Sequence, residues 1–269
     1  MSEVYSHGHH ESVLRSHRWR TAENSAAYML EELRAGDYVL DAGCGPGTIT
    51  LDIAGHVAPG RVLGVDSSAE AIASAEELRR RVGVSNVEFS VGDAYALGPG
   101  ERTFDAAHAH QLLQHLGRPV EALGELRRVL RPGGLLAVRD SDYGAFTWWP
   151  SDSRLDRWLE LYHEVAGRNG GTPDAGRRLL GWVRGAGFDQ IVATSSTWTF
   201  ADPEARAWWG GLWAERVTLS AFCDQAVAYG LCDEGELAEI ARGWLDWSSS
   251  DDGWFMVPHG EVIARKPAD

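Results

Sequence analysis

Val39-Leu40-Asp41-Ala42-Gly43-Cys44-Gly45-Pro46-Gly47-Thr48 decides how this chain is read. An apolar run ends in a turn with glycine at every second position. Glycine takes positive φ freely and leaves no side chain between the backbone and a ligand. The helix that follows such a turn points its free N–H groups at whatever occupies it. A glycine loop alone is a weak fingerprint. It gains weight from Asp66, the last residue of the next apolar run, where an acid can accept hydrogen bonds from both hydroxyls of a ribose. Ser67 follows directly.

Working outward, residues 38–142 alternate short apolar runs with amphipathic stretches. Tyr38–Asp41, Arg61–Asp66, Val87–Val91, Phe104–Ala109 and Leu135–Asp140 read as strands. Ser68–Arg81 reads as a helix preceded by Ser67, with Glu70 at capping-box spacing. A second helix starts at Pro119, carries Leu123, Leu126 and Leu130 on one face, and stops at Arg131-Pro132-Gly133-Gly134. Strand–helix alternation of this kind means a mostly parallel sheet covered on both faces, an α/β fold. Ligands of such sheets bind beyond the carboxyl ends of the strands. Asp93 and Ala94, after the third strand, and the strand-end run His108-Ala109-His110-Gln111 converge there.

The flanks read differently. Residues 21–35 suggest one helix with Ala26, Leu30 and Leu33 inward and Gly36 as its stop. Residues 143–170 show no clear period. A helix over 174–184 leads to a strand at 190–200, residues 203–247 are helical and rich in Trp, and 254–265 is a last extended stretch. With no linker or repeat, 1–269 is expected to be a single domain. Residues 37–142 are expected to form its ligand-binding core, cofactor-binding if the resemblance below holds, and 1–36, 143–172 and 203–250 to be substrate-cap elements.

A net charge of −14 argues against nucleic acid, which demands a concentrated basic face. Arg79, Arg80 and Arg81, the densest basic run, suit the end of a helix. No apolar run approaches the roughly 18 residues that span a bilayer, and the polar N-terminus does not read as a secretory signal. Three cysteines, Cys44, Cys223 and Cys232, without zinc-like spacing, suggest a reduced, cytoplasmic setting. His7, His9 and His10, and the pair His108 and His110, lack companion ligands at metal spacing, so no metal is expected. A homodimer is left open.

Four motifs in order, VLDAGCGPGT, GVDSS, GDAYAL and FDAAHAHQLLQHL…LRRVLRPGG, resemble the class I S-adenosylmethionine-dependent methyltransferases. The likeness is to the small-molecule group similar to the ubiquinone/menaquinone enzymes, and it covers residues 37–142. It implies a Rossmann-like sheet of seven strands, mostly parallel with an antiparallel C-terminal strand, plus a helical N-terminal segment and helical lid insertions. It implies S-adenosyl-L-methionine as cofactor, with Asp41, Gly43, Gly45 and Gly47 around its methionine part. Asp66 and Ser67 fall at the ribose, Asp93 and Ala94 at the adenine, and His110 and Gln111 beside the sulfonium. The terminal strands would be 190–200 and 254–265, which makes 203–247 an insertion.

The reaction expected is in-line transfer of a methyl group to an O, N or C atom of a small aromatic or apolar molecule. The cofactor carries the reactive group, so orientation dominates and a base is optional. His110 is the first candidate base, as a strand-end histidine that titrates near neutral pH, with His115 and Asp142 in reserve. Tyr143, Phe146, Trp148 and Trp149 are the candidate substrate walls. Each assignment has a plainer rival: Asp41 or Asp93 as a turn acceptor, Asp66 as a helix-cap neighbour, His115 as a packed core histidine. A nicotinamide fingerprint wants glycine or alanine where Thr48 stands. A protein that binds the cofactor without methylating remains the second alternative. Neither a nucleotide triphosphatase loop nor a serine-hydrolase elbow occurs.

Overall fold

The computed structural model describes residues 11–268, with side chains from Arg15 onward; His7, His9 and His10 lie outside the described residues. Five strands, β1 (Tyr38–Ala42), β2 (Arg61–Asp66), β3 (Val87–Val91), β4 (Phe104–His110) and β5 (Leu130–Ser141), pair in parallel in the order β3-β2-β1-β4-β5. β1 is central, and Val39 and Leu40 are completely buried on opposite faces. A long β8 (Trp254–Arg265) runs antiparallel to β5 and to β7 (Asp189–Phe200). A short β6 (Thr147–Trp149) pairs with Trp254–Met256 of β8, so the sheet has eight strands where seven were expected. Three residues of the aromatic run after β5 supply the extra one.

The helices are α1 (Glu11–Arg18), α2 (Ala22–Ser25), α3 (Ala27–Leu30), α4 (Thr48–Val57), α5 (Ala69–Val82), α6 (Pro119–Val129), α7 (Ser153–Arg168), α8 (Leu179–Gly185), α9 (Pro203–Leu219), α10 (Ala221–Ala228) and α11 (Glu234–Ser248). Side chains alternate across a strand, and β4 shows the consequence. Ala107 and Ala109 pack toward Leu123 and Leu126 of α6, whereas Ala106 packs toward Ile53 of α4. His108 and His110 share the Ala106 face.

Several expectations are corrected. The N-terminal segment is not one helix. Asn24 closes a capping box with Thr21, and its carbonyl, which a continuous helix would give to the amide four residues on, accepts instead from the Trp198 indole at 2.7 Å. The chain breaks at Ala26 and restarts as α3. Ser68, not Ser67, caps α5, accepting from the Ala71 amide. α6 ends at Val129, and Arg131–Gly134 belongs to β5 as an irregular start, with Gly133 at φ 74°. Of the helix expected over 174–184, only a short 3-10 turn at Gly176–Arg178 and α8 form. Residues 143–170 do contain a helix, α7, capped by Asp152 and burying Leu155, Trp158, Leu161, Tyr162 and Val165. Its buried face includes the aromatic residues Trp158 and Tyr162 among aliphatic ones, which blurs the helical period in the sequence.

α7, α9 and α11 meet over an aromatic core in which Trp158 stands edge-on to Trp213 and Trp244, with centroids 4.5 and 4.8 Å away. Such pairs add about 0.5–1.5 kcal/mol each beyond simple burial. This helical layer sits on β6, β7 and β8 and walls the cavity described next.

Candidate active site

The loop after β1 carries Gly43 and Gly45 at φ 71° and 53°, in the left-handed region that glycine takes without strain. A β-carbon at Gly43 would lie 3.0 Å from Leu112. The amides of Gly43 and Cys44 donate to the Val65 carbonyl at the end of β2. Asp66 then ties the loop to α5: one carboxylate oxygen accepts from the Gly45 amide and the other from the Ser68 amide, both at 2.9 Å. Each oxygen keeps a further lone pair for a hydroxyl donor. Gly43, Cys44, Gly45, Asp66 and Ser67 form one end of a single cavity.

On the α4 face of the sheet lies a layer of buried histidines. His108 Nδ1 donates to Asp41 at 2.7 Å, and the other Asp41 oxygen accepts from the Thr50 hydroxyl at 2.6 Å. Asp41 therefore reaches the cavity wall with its carboxylate already committed. His110, two residues on, stacks parallel to His108 and lines the cavity. It is 6% exposed, and neither ring nitrogen has a hydrogen-bond partner among the described residues. A buried polar group left unpaired costs about 1–3 kcal/mol, and because His110 lines the cavity a molecule bound there would pair it. Burial, with Arg20 and Arg139 nearby, pushes its pKa well below that of an ordinary histidine. The expectation of a base poised near neutrality is corrected: His110 is a neutral imidazole, one nitrogen donating and the other accepting.

Gln111, at φ 50°, is held from every side. Its carbonyl oxygen accepts from Arg20 at 2.7 Å, and its amide donates to the Ser141 hydroxyl at 2.8 Å and to His259 Nε2 at 2.9 Å. The Gln114 side chain donates to His115 Nε2 at 3.1 Å and accepts from the Ser141 amide at 3.2 Å. His115 lines the cavity too, and burial lowers its pKa to about 3. It is no base at neutral pH.

Beneath this turn Asp140 accepts from the Gln114 amide at 3.0 Å, while its second oxygen is buried without a partner among the described residues. Burial raises its pKa from 3.8 to about 7. A carboxyl raised on folding contributes stability that is complete below about pH 4 and is lost as pH rises through about 7. Asp140→Asn is therefore expected to gain stability over the parent between pH 5 and pH 8, on the order of 2 kcal/mol. Urea denaturation at the two pH values measures it, and equal differences at both would refute the assignment.

The opposite end of the cavity is aromatic and basic. Tyr143, Phe146, Trp208, Trp209 and Trp213 line it, with Arg216 of α9 beside them. Arg216 is 5% exposed; it lies over the Trp213 ring and donates to Ser16 of α1. His17, Trp19 and Arg20 cover the cavity from the N-terminal segment, with Trp19 edge-on to Trp198.

Not every expected residue reaches this place. Gly47 opens α4 at φ 81° and is a packing position: a β-carbon there would lie 2.7 Å from Phe89. Asp93 is exposed and accepts from the Tyr95 amide of its own turn, and Ala94 packs on the core; neither is in the wall. Asp142 is outside it as well, its carboxylate held by the Arg177 side chain and amide. Trp148 lies against Phe255 in the aromatic core, and Trp149 is 59% exposed; they are not cavity walls, because β6 carries them to the sheet edge. Arg20, Ser141, Trp198, Arg216 and His259 were missed. No local spacing distinguishes them, and only the pairing of β5, β7 and β8 and the return of α9 bring them together. Among the described residues no three His, Cys, Asp or Glu side chains converge as a metal would require, and no helix is long and apolar enough to cross a membrane.

Residues 33–180 match the methyltransferase domain family. Over 270 residues the chain is 34% identical to an uncharacterized methyltransferase of Schizosaccharomyces pombe, covering 97% of this chain and 96% of that one. The chain is a class I S-adenosylmethionine-dependent methyltransferase. Two solved structures share the methyltransferase's fold. A Haemonchus contortus phosphoethanolamine N-methyltransferase with S-adenosylhomocysteine gives a TM-score of 0.55 at 20% identity, covering 87% of this chain and 50% of that one. The [4+2]-cyclase SpnF gives 0.54 at 24%, covering 99% and 89%.

Proposed function

We propose that this methyltransferase holds the methionine part of its cofactor in the Gly43–Gly45 turn and the ribose at Asp66, and methylates a small flat molecule between His110 and the Trp209–Trp213 wall. The observation that carries this reading is His110: a buried imidazole with no hydrogen-bond partner among the described residues, in the wall of the one cavity that the glycine loop and Trp209 and Trp213 also line. The loop suits the cofactor because Gly45, at φ 53°, has nothing nearer to a β-carbon's place than His17 Nδ1 at 4.0 Å, so backbone rather than side chain faces the cavity there. Asp66 fits a ribose through its remaining lone pairs.

When bound, the cofactor supplies a methyl group on a cationic sulfur. The chain's own residues then act by placement. Gln111, held by Arg20, Ser141 and His259, fixes the loop beside the transfer point, and His110 hydrogen-bonds the acceptor. Aromatic faces orient a flat acceptor and exclude water. Holding two reactants in line can lower a barrier by roughly 7–11 kcal/mol, more than a positioned base provides. Calorimetric titration with S-adenosylmethionine, followed by mass spectrometry of products from a panel of aromatic acceptors, tests the proposal. An acceptor heavier by one methyl group is the expected result. Tight cofactor binding with no methylated product from any acceptor would favour a role in which the bound sulfonium acts only as a charge.

A further inference from the structure

We propose that His259 is a positioning residue of this site: through the Gln111 amide it sets, and is set by, the docking of Arg20 on the cavity. Only the purpose of that positioning rests on the methyltransferase reading above. An amide side chain has an oxygen on one side and two N–H groups on the other, and its neighbours decide which way it faces. A guanidinium only donates, so the Gln111 group 2.7 Å from Arg20 is its carbonyl oxygen. Both N–H groups then point the other way. They meet the Ser141 hydroxyl at 2.8 Å and His259 Nε2 at 2.9 Å. A ring nitrogen that accepts carries no proton, so His259 is neutral and holds its proton on Nδ1.

The surroundings of His259 favour that state. It is 1% exposed, with Ser141 opposite it on β5 and Ser196 opposite it on β7. Arg139 of β5 and Arg20 of the N-terminal segment are the cations that face it. His110 of β4 stacks at 6.2 Å, and Trp198 of β7 stands edge-on at 4.4 Å. Glu261, two residues along β8, is committed to Arg139 and to the Thr194 and Ser196 hydroxyls. Burial first, then Arg139 and Arg20, hold the His259 pKa well below that of an ordinary histidine.

Turned over, the Gln111 amide would accept from the Ser141 hydroxyl and from an Nε2–H of His259. It would then set its own N–H groups against the Arg20 guanidinium, donor against charged donor. The two arrangements exclude each other: Arg20 docks with the Nδ1–H tautomer and is displaced by an Nε2–H. Such coupling is reciprocal. It reaches the ligand because Gln111, at φ 50°, directly follows His110, and both line the cavity. Arg20 belongs with Ser16, His17 and Trp19 to the segment that covers it. His259 is not in the wall, so it acts only through Gln111.

The test needs no cofactor and uses the full chain with isotope-labelled histidine. Long-range proton–nitrogen spectra report which ring nitrogen carries the proton, and the His259 signals are those lost in His259→Gln. The parent should show the neutral Nδ1–H form at about pH 7.5. In Gln111→Glu, whose two oxygens only accept, His259 Nε2 should gain a proton. A parent with its proton on Nε2, or an Nδ1–H form unchanged in Gln111→Glu, overturns the proposal. Hydrogen exchange reads the consequence for the covering segment. His259→Phe keeps a ring against Trp198 but has no acceptor, so residues 16–26 should exchange about fivefold faster or more, with α5 unchanged. His259→Gln returns an acceptor oxygen and should recover at least half of that protection. Parental exchange in the Phe variant, or equal exchange in the Phe and Gln variants, also overturns it. If His259→Phe loosens the whole fold, the spectra of the parent and of Gln111→Glu decide. Failure of the parent to bind S-adenosylhomocysteine by calorimetry, with the expected spectra, would instead overturn the methyltransferase reading and leave the coupling standing.

Discussion

Asp66→Ala lowers the affinity for S-adenosylmethionine by about 100-fold. The carboxylate has two tasks that one substitution removes together. It accepts from the Gly45 and Ser68 amides, which fixes the loop against α5, and it offers its remaining lone pairs to a ribose. Hydrogen bonds to a charged acceptor contribute about 1.5–3 kcal/mol each, so loss of the ribose pair alone corresponds to about a hundredfold or more. Asp66→Asn, which keeps one acceptor oxygen, should lose less than the alanine variant. Calorimetry reads both. An alanine variant with parental affinity would remove the ribose assignment and leave Asp66 as a structural clamp.

His110→Ala lowers kcat/KM by about 100-fold while the dissociation constant for S-adenosylhomocysteine changes less than threefold. The loss corresponds to one hydrogen bond to the acceptor together with its orientation. Because His110 is held neutral, the parent's pH–rate profile should show no ascending limb near pH 6.5, where an ordinary histidine titrates. A limb at that pH which disappears in the variant would restore His110 as a general base. A second variant separates function from packing. His110→Leu removes an unpaired buried polar group with little change of volume, and its Tm should equal or exceed the parent's. A rate loss with no stability loss is expected of a group kept for a ligand.

The glycine-loop end of the cavity was legible because its signals are local. Gly43, Gly45 and Asp66 act through backbone conformation and strand-end position, both written within a few residues of one another. The strand–helix alternation of residues 38–142 is legible for the same reason, since periods of 2 and 3.6 reflect which face each residue buries. The aromatic end was legible only in part. Tyr143 and Phe146 reach the cavity, while Trp148 and Trp149, two and three residues further on, are turned away by β6. Alternation along a short strand cannot be read until its partner is known, and that partner, β8, lies more than a hundred residues downstream.

The five strand segments of residues 38–142, the glycine turn and the acid at the end of β2 were determined by the sequence, because short-range sterics and hydrophobic period suffice to specify them. Tertiary structure alone decided that Asp41 serves His108, that Gln111 answers to Arg20 and His259, and that Arg216 lines the cavity beside Trp213. Each of those contacts joins residues that are dozens to hundreds of positions apart. They are set by which elements happen to pack together, and burial there changes the chemistry of the groups: it made His110 a neutral donor and acceptor where the free side chain would be a base.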